Sequence, residues 1–367
     1  MRTIGGVLAA CLLLCSAAHG FNAEDLIKDL KEGTGEKQLA AAMRLVDFVK
    51  YPEVIAALEA KLGDAAGDAV VRSNCAQSLA RSEDASVYPM LLTLAKKEAE
   101  KPIVRASCAA SIAVAKPDLA LSELVAMLKT EKSALVRAQI EASLGRMPDP
   151  QRVVVAVSPL LKEPDAEASA IRVLGVVGGA AVIPPLAKQL TEGKASSRRA
   201  VIQALGSIRR PESAAALVQF YPKANDAEKV DILGMLSVHP HPEAVALMIS
   251  EMDNLKAFPA VRRRAALSLG NLRAPQGIAP LVKVLLNTAE SEGMRITCAQ
   301  SLSNFTDRDD AAIAGLIGAL ADKKIAEEAS LALARMTRRY FGADKDKWTQ
   351  WFQQWREERD RPQRVGH

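Results

Sequence analysis

One short helical segment recurs along this chain at a near-constant interval, and that recurrence limits the fold more than any other feature. It is clearest from Val261 to Gly270, VRRRAALSLG. Taking Arg262 as the zero of a register, the pattern asks for an apolar residue just before zero, small or apolar residues at plus three and plus four, and Leu or Ile at plus seven. The matching zeros are Gln38, Arg72, Arg105, Arg137, Glu167, Arg198, Lys229, Arg262, Arg295 and Ala326, spaced 30 to 34 residues apart. Each interval holds one helical hairpin, and a lone hairpin can hide its apolar side only against its neighbours. Plus seven is Leu or Ile in all ten copies, and plus eight is small in nine, with Val46 the exception. Small residues there predict that successive helices approach closely.

A chain of 367 residues has room for two or three domains, yet a repeat running through it argues for one elongated body. With aromatic residues at 4%, the core must be built from Ala, Leu, Val and Ile, which suits thin two-helix layers. A net charge of +5 is mild for this length and lacks the basic signature of a nucleic-acid binder.

Residues 1–20 read as an export signal: Arg2, an apolar stretch from Ile4 to Cys15, and small residues ending at Gly20. Twelve residues are too few to cross a bilayer, so no integral span is expected, and the protein is placed in the periplasm or outside the cell. Leu8-Ala9-Ala10-Cys11 also matches a lipoprotein cleavage box, which gives an alternative with an anchor through Cys11. After cleavage at Gly20 three cysteines remain, Cys75, Cys108 and Cys298, all at plus three on the side facing the partner helix. That position suits small buried thiols filling core slots.

From Phe21 to Lys31 the apolar spacing predicts a short helix, ended by Gly33-Thr34-Gly35. In each later unit the first helix follows a Pro-acid pair such as Pro52-Glu53, Pro117-Asp118, Pro148-Asp149, Pro211-Glu212 or Pro242-Glu243. Proline's missing N–H is harmless there, and the carboxylate favours the helix dipole. Pro102, Pro164 and Pro259 share position minus three, where the second helix is expected to open. Val153 to Val157 has the composition of a strand, but the undisturbed register on both sides predicts a helix.

The motif V-R-x-x-(A/C)-x-x-x-L-G, seen from Val71-Arg72, Val136-Arg137 and Val261-Arg262, resembles the HEAT repeat, in a short form similar to that of phycobilisome lyases. The resemblance covers roughly Gly35 to Arg339. It implies an all-α fold, a right-handed α-solenoid of about ten HEAT-like hairpins. The resulting division is a signal peptide (1–20), an N-terminal capping helix (21–34), the repeats (35–340), an aromatic capping helix (341–360) and a frayed tail (361–367).

In such families the arginine at zero forms a ladder with acidic residues, which here assigns Arg72, Arg105, Arg137, Arg198, Arg262 and Arg295 a structural role. Local spacing offers Asp68 as the partner of Arg72 and Glu292 as that of Arg295. Gln38, Glu167 and Ala326 interrupt the ladder, so their units are expected to be held more weakly. Positions plus one, two, five and nine point away from the core and should line the inner surface of the superhelix. They supply Asn74, Gln77, Arg81, Gln139, Arg146, Arg199, Gln203, Arg263, Arg264, Asn271, Thr297, Gln300 and Asn304. Amides can satisfy the backbone of an extended peptide while arginines take its carboxylates. The other reading of these residues is a solvated polar face.

Trp348, Trp351, Phe352 and Trp355 form one helical stripe, which suits a cap on the open side of the last repeat. The run Tyr340-Phe341-Gly342 followed by Trp348-x-x-Trp351-Phe352 resembles a tail on exported bacterial HEAT-repeat proteins. Nothing in the sequence supplies catalytic groups: no HExxH, P-loop, GxSxG or dinucleotide-binding glycine pattern occurs. His239 and His241 have no third ligand at helical spacing, so no metal is expected, and no other cofactor is implied. The sequence therefore predicts a non-enzymatic scaffold for a protein or an extended, somewhat acidic peptide. The alternative, suggested by repeat similarity alone, is a lyase-like or chaperone-like accessory for cofactor attachment or complex assembly.

Overall fold

The computed structural model describes residues 22–306 and 309–360. The expected export segment with Cys11, Phe21, and the tail at 361–367 lie outside the described residues. Among those described there are α-helices and short 3-10 turns but no strand. The chain divides by contact into two units, one ending at Val182 and one beginning at Ile183.

The first unit holds five hairpins: α1 (Ala23–Glu32) with α2 (Gly35–Arg44), α3 (Pro52–Gly63) with α4 (Ala69–Leu79), α5 (Val87–Lys96) with α6 (Pro102–Ala115), α7 (Pro117–Thr130) with α8 (Ala134–Gly145), and α9 (Pro150–Val157) with α10 (Glu167–Val177). The second unit repeats the scheme: α11 (Ile183–Glu192) with α12 (Ala195–Ser207), α13 (Pro211–Phe220) with α14 (Asp226–Leu236), α15 (Pro242–Asp253) with α16 (Pro259–Leu272), α17 (Ile278–Leu286) with α18 (Glu292–Leu302), and α19 (Asp310–Ala319) with α20 (Ala326–Thr337). A last helix, α21 (Lys345–Asp360), follows. Helix α1 serves as the first rod of the first hairpin, packing on both α2 and α3.

Most helix starts lie where the sequence puts them, with Pro52, Pro102, Pro117, Pro211, Pro242 and Pro259 in the first turns of their helices. Two differ. Helix α9 opens at Pro150, two residues after Pro148, because Asp149 acts as its N-cap and accepts from the Arg152 amide at 3.1 Å. Pro164 lies in the turn ahead of α10, where the Glu163 carbonyl accepts from both Ala166 and Glu167. The β-branched run Val153 to Val157 is helical.

The register explains how the hairpins stack. All ten plus-seven residues, from Leu45 to Leu333, are 0% exposed, each contributing about 2 kcal/mol of apolar burial. Plus eight is where neighbouring second helices meet. A Cβ on Gly145 would lie 2.5 Å from Val176 Cγ1, one on Gly206 2.5 Å from Met235 Cβ, and one on Gly270 2.7 Å from the Ser301 backbone. Serines at plus six add polar stitches: Ser78 donates to the Ala42 carbonyl at 2.6 Å and Ser268 to the Leu233 carbonyl at 2.8 Å. Cys75, Cys108 and Cys298 are buried and free, and burial pushes each thiol up to about 12.

Four arginines at zero repeat one clamp. Arg72, Arg105, Arg262 and Arg295 each send Nε to the carbonyl ten residues earlier, on Leu62, Ala95, Met252 and Leu285, at 2.8 to 3.1 Å. Those carbonyls end the first helix of the same hairpin and have no intrahelical partner. The rest of each guanidinium crosses to an acid in the interhelix turn of the next hairpin: Glu100, Glu131, Glu290 and Asp322, at 2.5 to 2.7 Å. Each acid also accepts an amide of its own turn, on Lys101, Ser133, Ser291 and Lys324. The ladder thus runs between hairpins, and the local partners read from spacing are corrected. Asp68 instead caps α4, accepting from Val70 and Val71, and Arg295 takes Asp322 in place of Glu292. The helical spacing of three or four residues finds neighbours on one helix, whereas the clamp spans two hairpins.

Arg137 and Arg198 depart from the pattern. Arg137 donates to backbone carbonyls, including Asp165 at 2.9 Å, and to the Ser169 hydroxyl at 3.1 Å. Arg198 stands 3.8 Å from Glu228 and lies over the Phe220 ring at 5.7 Å.

Helix α21 covers the last hairpin by packing on α19. Trp348 is fully buried, and its Nε1 donates to the Gly342 carbonyl at 2.8 Å. Phe341 meets Trp348 edge-on at 4.8 Å, and Phe352 is also buried. Arg356 and Arg359 bind Asp310 at 3.2 and 2.6 Å, fastening the far end of the helix.

Two predictions follow from this packing. Gly270→Ala should lower the melting temperature, because its Cβ meets backbone that cannot rotate away, whereas Gly293→Ala, in open space, should raise it slightly. Thermal unfolding of both variants checks this. The second concerns pH. Arginine hydrogen bonds hold the Glu100, Glu290 and Asp322 carboxyls below the ordinary range. A depressed folded value means the stabilisation is complete above the unfolded value, about 4, and is lost as pH falls through the folded one. Melting temperature should therefore be nearly flat from about pH 7 to 5 and fall below about pH 4. Glu100→Ala, which leaves the buried Arg72 charge without its acid, should destabilise by about 3 kcal/mol at pH 7 and shrink the acid limb.

Candidate peptide-binding face

The second helices carry the side chains singled out from the register, and each unit presents its own row of them. In the first unit Gln77, Arg81 and Arg146 are exposed, while Asn74 and Gln139 are half-buried. Asn74 donates to the Val70 carbonyl of its own helix at 2.8 Å, leaving its oxygen as the outward group. Gln77 reaches the Ser107 hydroxyl on the next second helix at 3.5 Å, and that hydroxyl also meets Ser73 at 2.8 Å.

In the second unit Arg199, Gln203, Arg263, Arg264, Asn271 and Gln300 are exposed and Asn304 is half-buried. Asn304 donates to the Asn271 oxygen at 3.4 Å, so these amides at equivalent positions of successive hairpins touch. Arg264 borders Gly234, where a Cβ would lie 3.8 Å from its guanidinium carbon. Among the described residues no carboxylate holds Arg263 or Arg264, which leaves two adjacent guanidinium groups open to a ligand. Arg199 differs, pairing with Asp231 on α14, the next second helix, at 3.0 Å. Thr297 is a correction: it is buried, and its hydroxyl donates to the Gly293 carbonyl at 2.7 Å.

The register also holds residues that the sequence reading passed over. Arg172 at plus five binds Glu141 with two hydrogen bonds of 2.7 Å, Asp231 stands at plus two, and Arg335 at plus nine donates to Ser303 at 3.3 Å. The outward positions already named would have found Arg172, Asp231 and Arg335. Glu141 lies at plus four, a core position in most copies, and its largely buried carboxylate is met there by Arg172.

Other candidate chemistry falls elsewhere. His239 is buried, with its Nε2 2.9 Å from the Gly206 carbonyl, so it ties one hairpin to the preceding one. Among the described residues no three His, Cys, Asp or Glu side chains converge on a metal position, and no helix is long and apolar enough to cross a membrane.

The HEAT-repeat family model matches residues 154–231 and 245–334. No curated protein matches the chain in sequence. Solved structures do resemble it in fold. Kap121p, a karyopherin bound to the extreme C-terminus of the protein phosphatase Cdc14p, is 13% identical, with 91% of this chain and 43% of that one covered at a TM-score of 0.56. Kap95p with RanGDP is 14% identical over 94% and 54% of the two chains, at 0.54. The CpcE and CpcF complex of phycocyanin lyase from Nostoc sp. PCC7120 is 22% identical over 62% and 92%, at 0.33. The chain thus spans about half the length of the two karyopherins. Its ten hairpins, the interlocking register and the family match agree: the chain carries HEAT repeats and is folded as an all-α solenoid.

Proposed function

We propose that the chain is a non-enzymatic scaffold that is exported and then binds a protein or an extended, somewhat acidic peptide along the outward face of its second helices. The observation that carries this reading is the pair Arg263 and Arg264, exposed and without acid partners beside a row of amides on rigid helices. Amides that both donate and accept can meet the backbone of an extended chain whatever its sequence, and two guanidinium groups add preference for carboxylates. The two karyopherins of like fold support a protein partner, since one is bound to a phosphatase C-terminus and the other to Ran.

Export rests on the first twenty residues, and the intact mass of the secreted protein tests it. The chain should begin near Phe21 without acyl mass; a diacylglyceryl group on Cys11 would replace free export by a membrane anchor.

Binding is tested with Arg263→Glu/Arg264→Glu. Affinity purification from native cells, followed by mass spectrometry, should recover a partner with the wild type and lose most of it with the double variant. An acidic peptide derived from that partner should bind with an affinity that falls as salt rises. Arg199→Glu should weaken capture less, because Arg199 already has Asp231. Equal capture by wild type and the double variant sinks the reading.

A further inference from the structure

The clamp has two halves, an arginine at zero and an acid in the next interhelix turn, and between the seventh and eighth hairpins both are missing. Lys229 replaces the arginine in α14, and the turn it would reach, Asn254 to Phe258, carries Ala257 where the ninth hairpin's turn carries Glu290. The turn is otherwise the same. The Ala257 amide donates to the Asn254 carbonyl at 3.0 Å, as the Glu290 amide donates to that of Asn287 at 3.1 Å. The Asn254 and Asn287 side chains accept from the Lys256 and Ala289 amides, both at 3.1 Å. The backbone that would place an acid is therefore kept, and the acid is not. Gln38 and Gly67 repeat this joint loss in the first unit, where the Gly67 amide donates to the Asp64 carbonyl at 2.9 Å.

The second helices on either side of this seam still pack together. Leu236 of α14 and Leu269 of α16 are fully buried, and Ser268 donates to the Leu233 carbonyl at 2.8 Å. At the edge with the interhelix turns, little takes the place of the clamp. Lys229 lies over the Tyr221 ring of its own hairpin at 5.4 Å. Across the seam Glu251 of α15 faces the Tyr221 hydroxyl, and burial, followed by that carboxylate, raises the tyrosine's pKa. The hydroxyl nevertheless makes no hydrogen bond of ordinary geometry. The next seam is held by Arg262 on Glu290 at 2.6 Å and Lys283 on Asp253 at 3.3 Å, and the last by Arg295 on Asp322 at 2.5 Å. The preceding seam has Arg199 on Asp231 at 3.0 Å and His239 on the Gly206 carbonyl at 2.9 Å.

We propose that the seam between the seventh and eighth hairpins is a compliant joint, in which the α14–α16 contact is the pivot and the hairpins splay at the edge of the interhelix turns. Apolar burial favours contact but leaves several tilts nearly equal, whereas a two-pronged charged contact selects one. Arg263 and Arg264 stand near the N-terminal end of α16, on the splaying edge, so the motion shifts both guanidinium groups against α14. The joint does not depend on the peptide-binding reading, because it works in the free protein.

Pulsed dipolar electron paramagnetic resonance on pairs of spin labels tests it in the full chain. Cys75, Cys108 and Cys298 are buried with thiols pushed up to about 12, so labels go to introduced cysteines. Lys223→Cys/Lys256→Cys spans the joint, and Lys256→Cys/Thr288→Cys spans the clamped seam beyond it; all three are exposed turn residues. The distance distribution should be about twice as broad across the joint as across the clamped seam. Lys229→Arg/Ala257→Glu supplies both halves of the clamp, and it should narrow the first distribution to the width of the second. It should also raise the melting temperature by about 2 °C more than the sum of the two single changes, each of which leaves the distribution broad. Equal widths at the two seams without these changes overturn the proposal, and that comparison decides the matter should the clamped variant fail to fold. A folded clamped variant whose distribution stays broad overturns it as well.

Discussion

The arginine fork at the start of the second helix is the interaction on which the stacking depends. A first helix ends with carbonyls that its own hydrogen bonding cannot satisfy, and its dipole makes that end negative. Arg72, Arg105, Arg262 and Arg295 answer both needs with one nitrogen, then use the others on the turn of the following hairpin. The acid in that turn is itself held by a backbone amide, so the fork meets a fixed target. Apolar contact alone would let neighbouring hairpins slide, since a leucine surface has little directional preference. A charged, two-pronged contact has one register. Where it occurs, the clamp therefore fixes the register of one hairpin on the next, while the plus-seven residues are buried in all ten copies.

Much of this was legible before any coordinates. Leu and Ile at plus seven and small residues at plus eight are consequences of helix geometry, and their periodicity survives in the sequence because each copy must meet its neighbour in the same way. The partners of the arginines were not legible. Glu100 is 28 residues from Arg72, and no local spacing rule links them, whereas Asp68 is close in sequence and is occupied with capping α4. Thr297 failed for a related reason: its register position is at least partly exposed in most other copies, though not at Ser107 or Ser169, and a threonine can fold its hydroxyl back onto its own helix, as this one does. Exposure in turns was also hidden. Phe258 is apolar and precedes a helix, so sequence alone gives no reason to place it outside the core.

The outward face was only partly legible. The amides and arginines chosen by position along the register are at least partly exposed, while Thr297, Ser107 and Ser169 at plus two and Ser73 and Ala106 at plus one are buried. What the register cannot report is which of them already have partners. Arg199 and Arg264 look alike in the sequence, yet one faces Asp231 across the gap between helices and the other borders Gly234. Both neighbours belong to α14, three residues apart, and only Arg199 meets a carboxylate there.

Repeats of this kind also explain why departures from the pattern carry information. Stability in a stacked array is close to a sum of unit and neighbour terms, so a residue that serves no contact within its own hairpin or the next one is not kept for the fold. Arg172 and Glu141 pass that test as a bridge between helices. Trp348 passes it as well, filling the flank that the last hairpin has no successor to cover and hydrogen-bonding the Gly342 carbonyl that also anchors Ser330. Arg263, Leu255 and Phe258 face solvent, on elements whose positions are set by other residues.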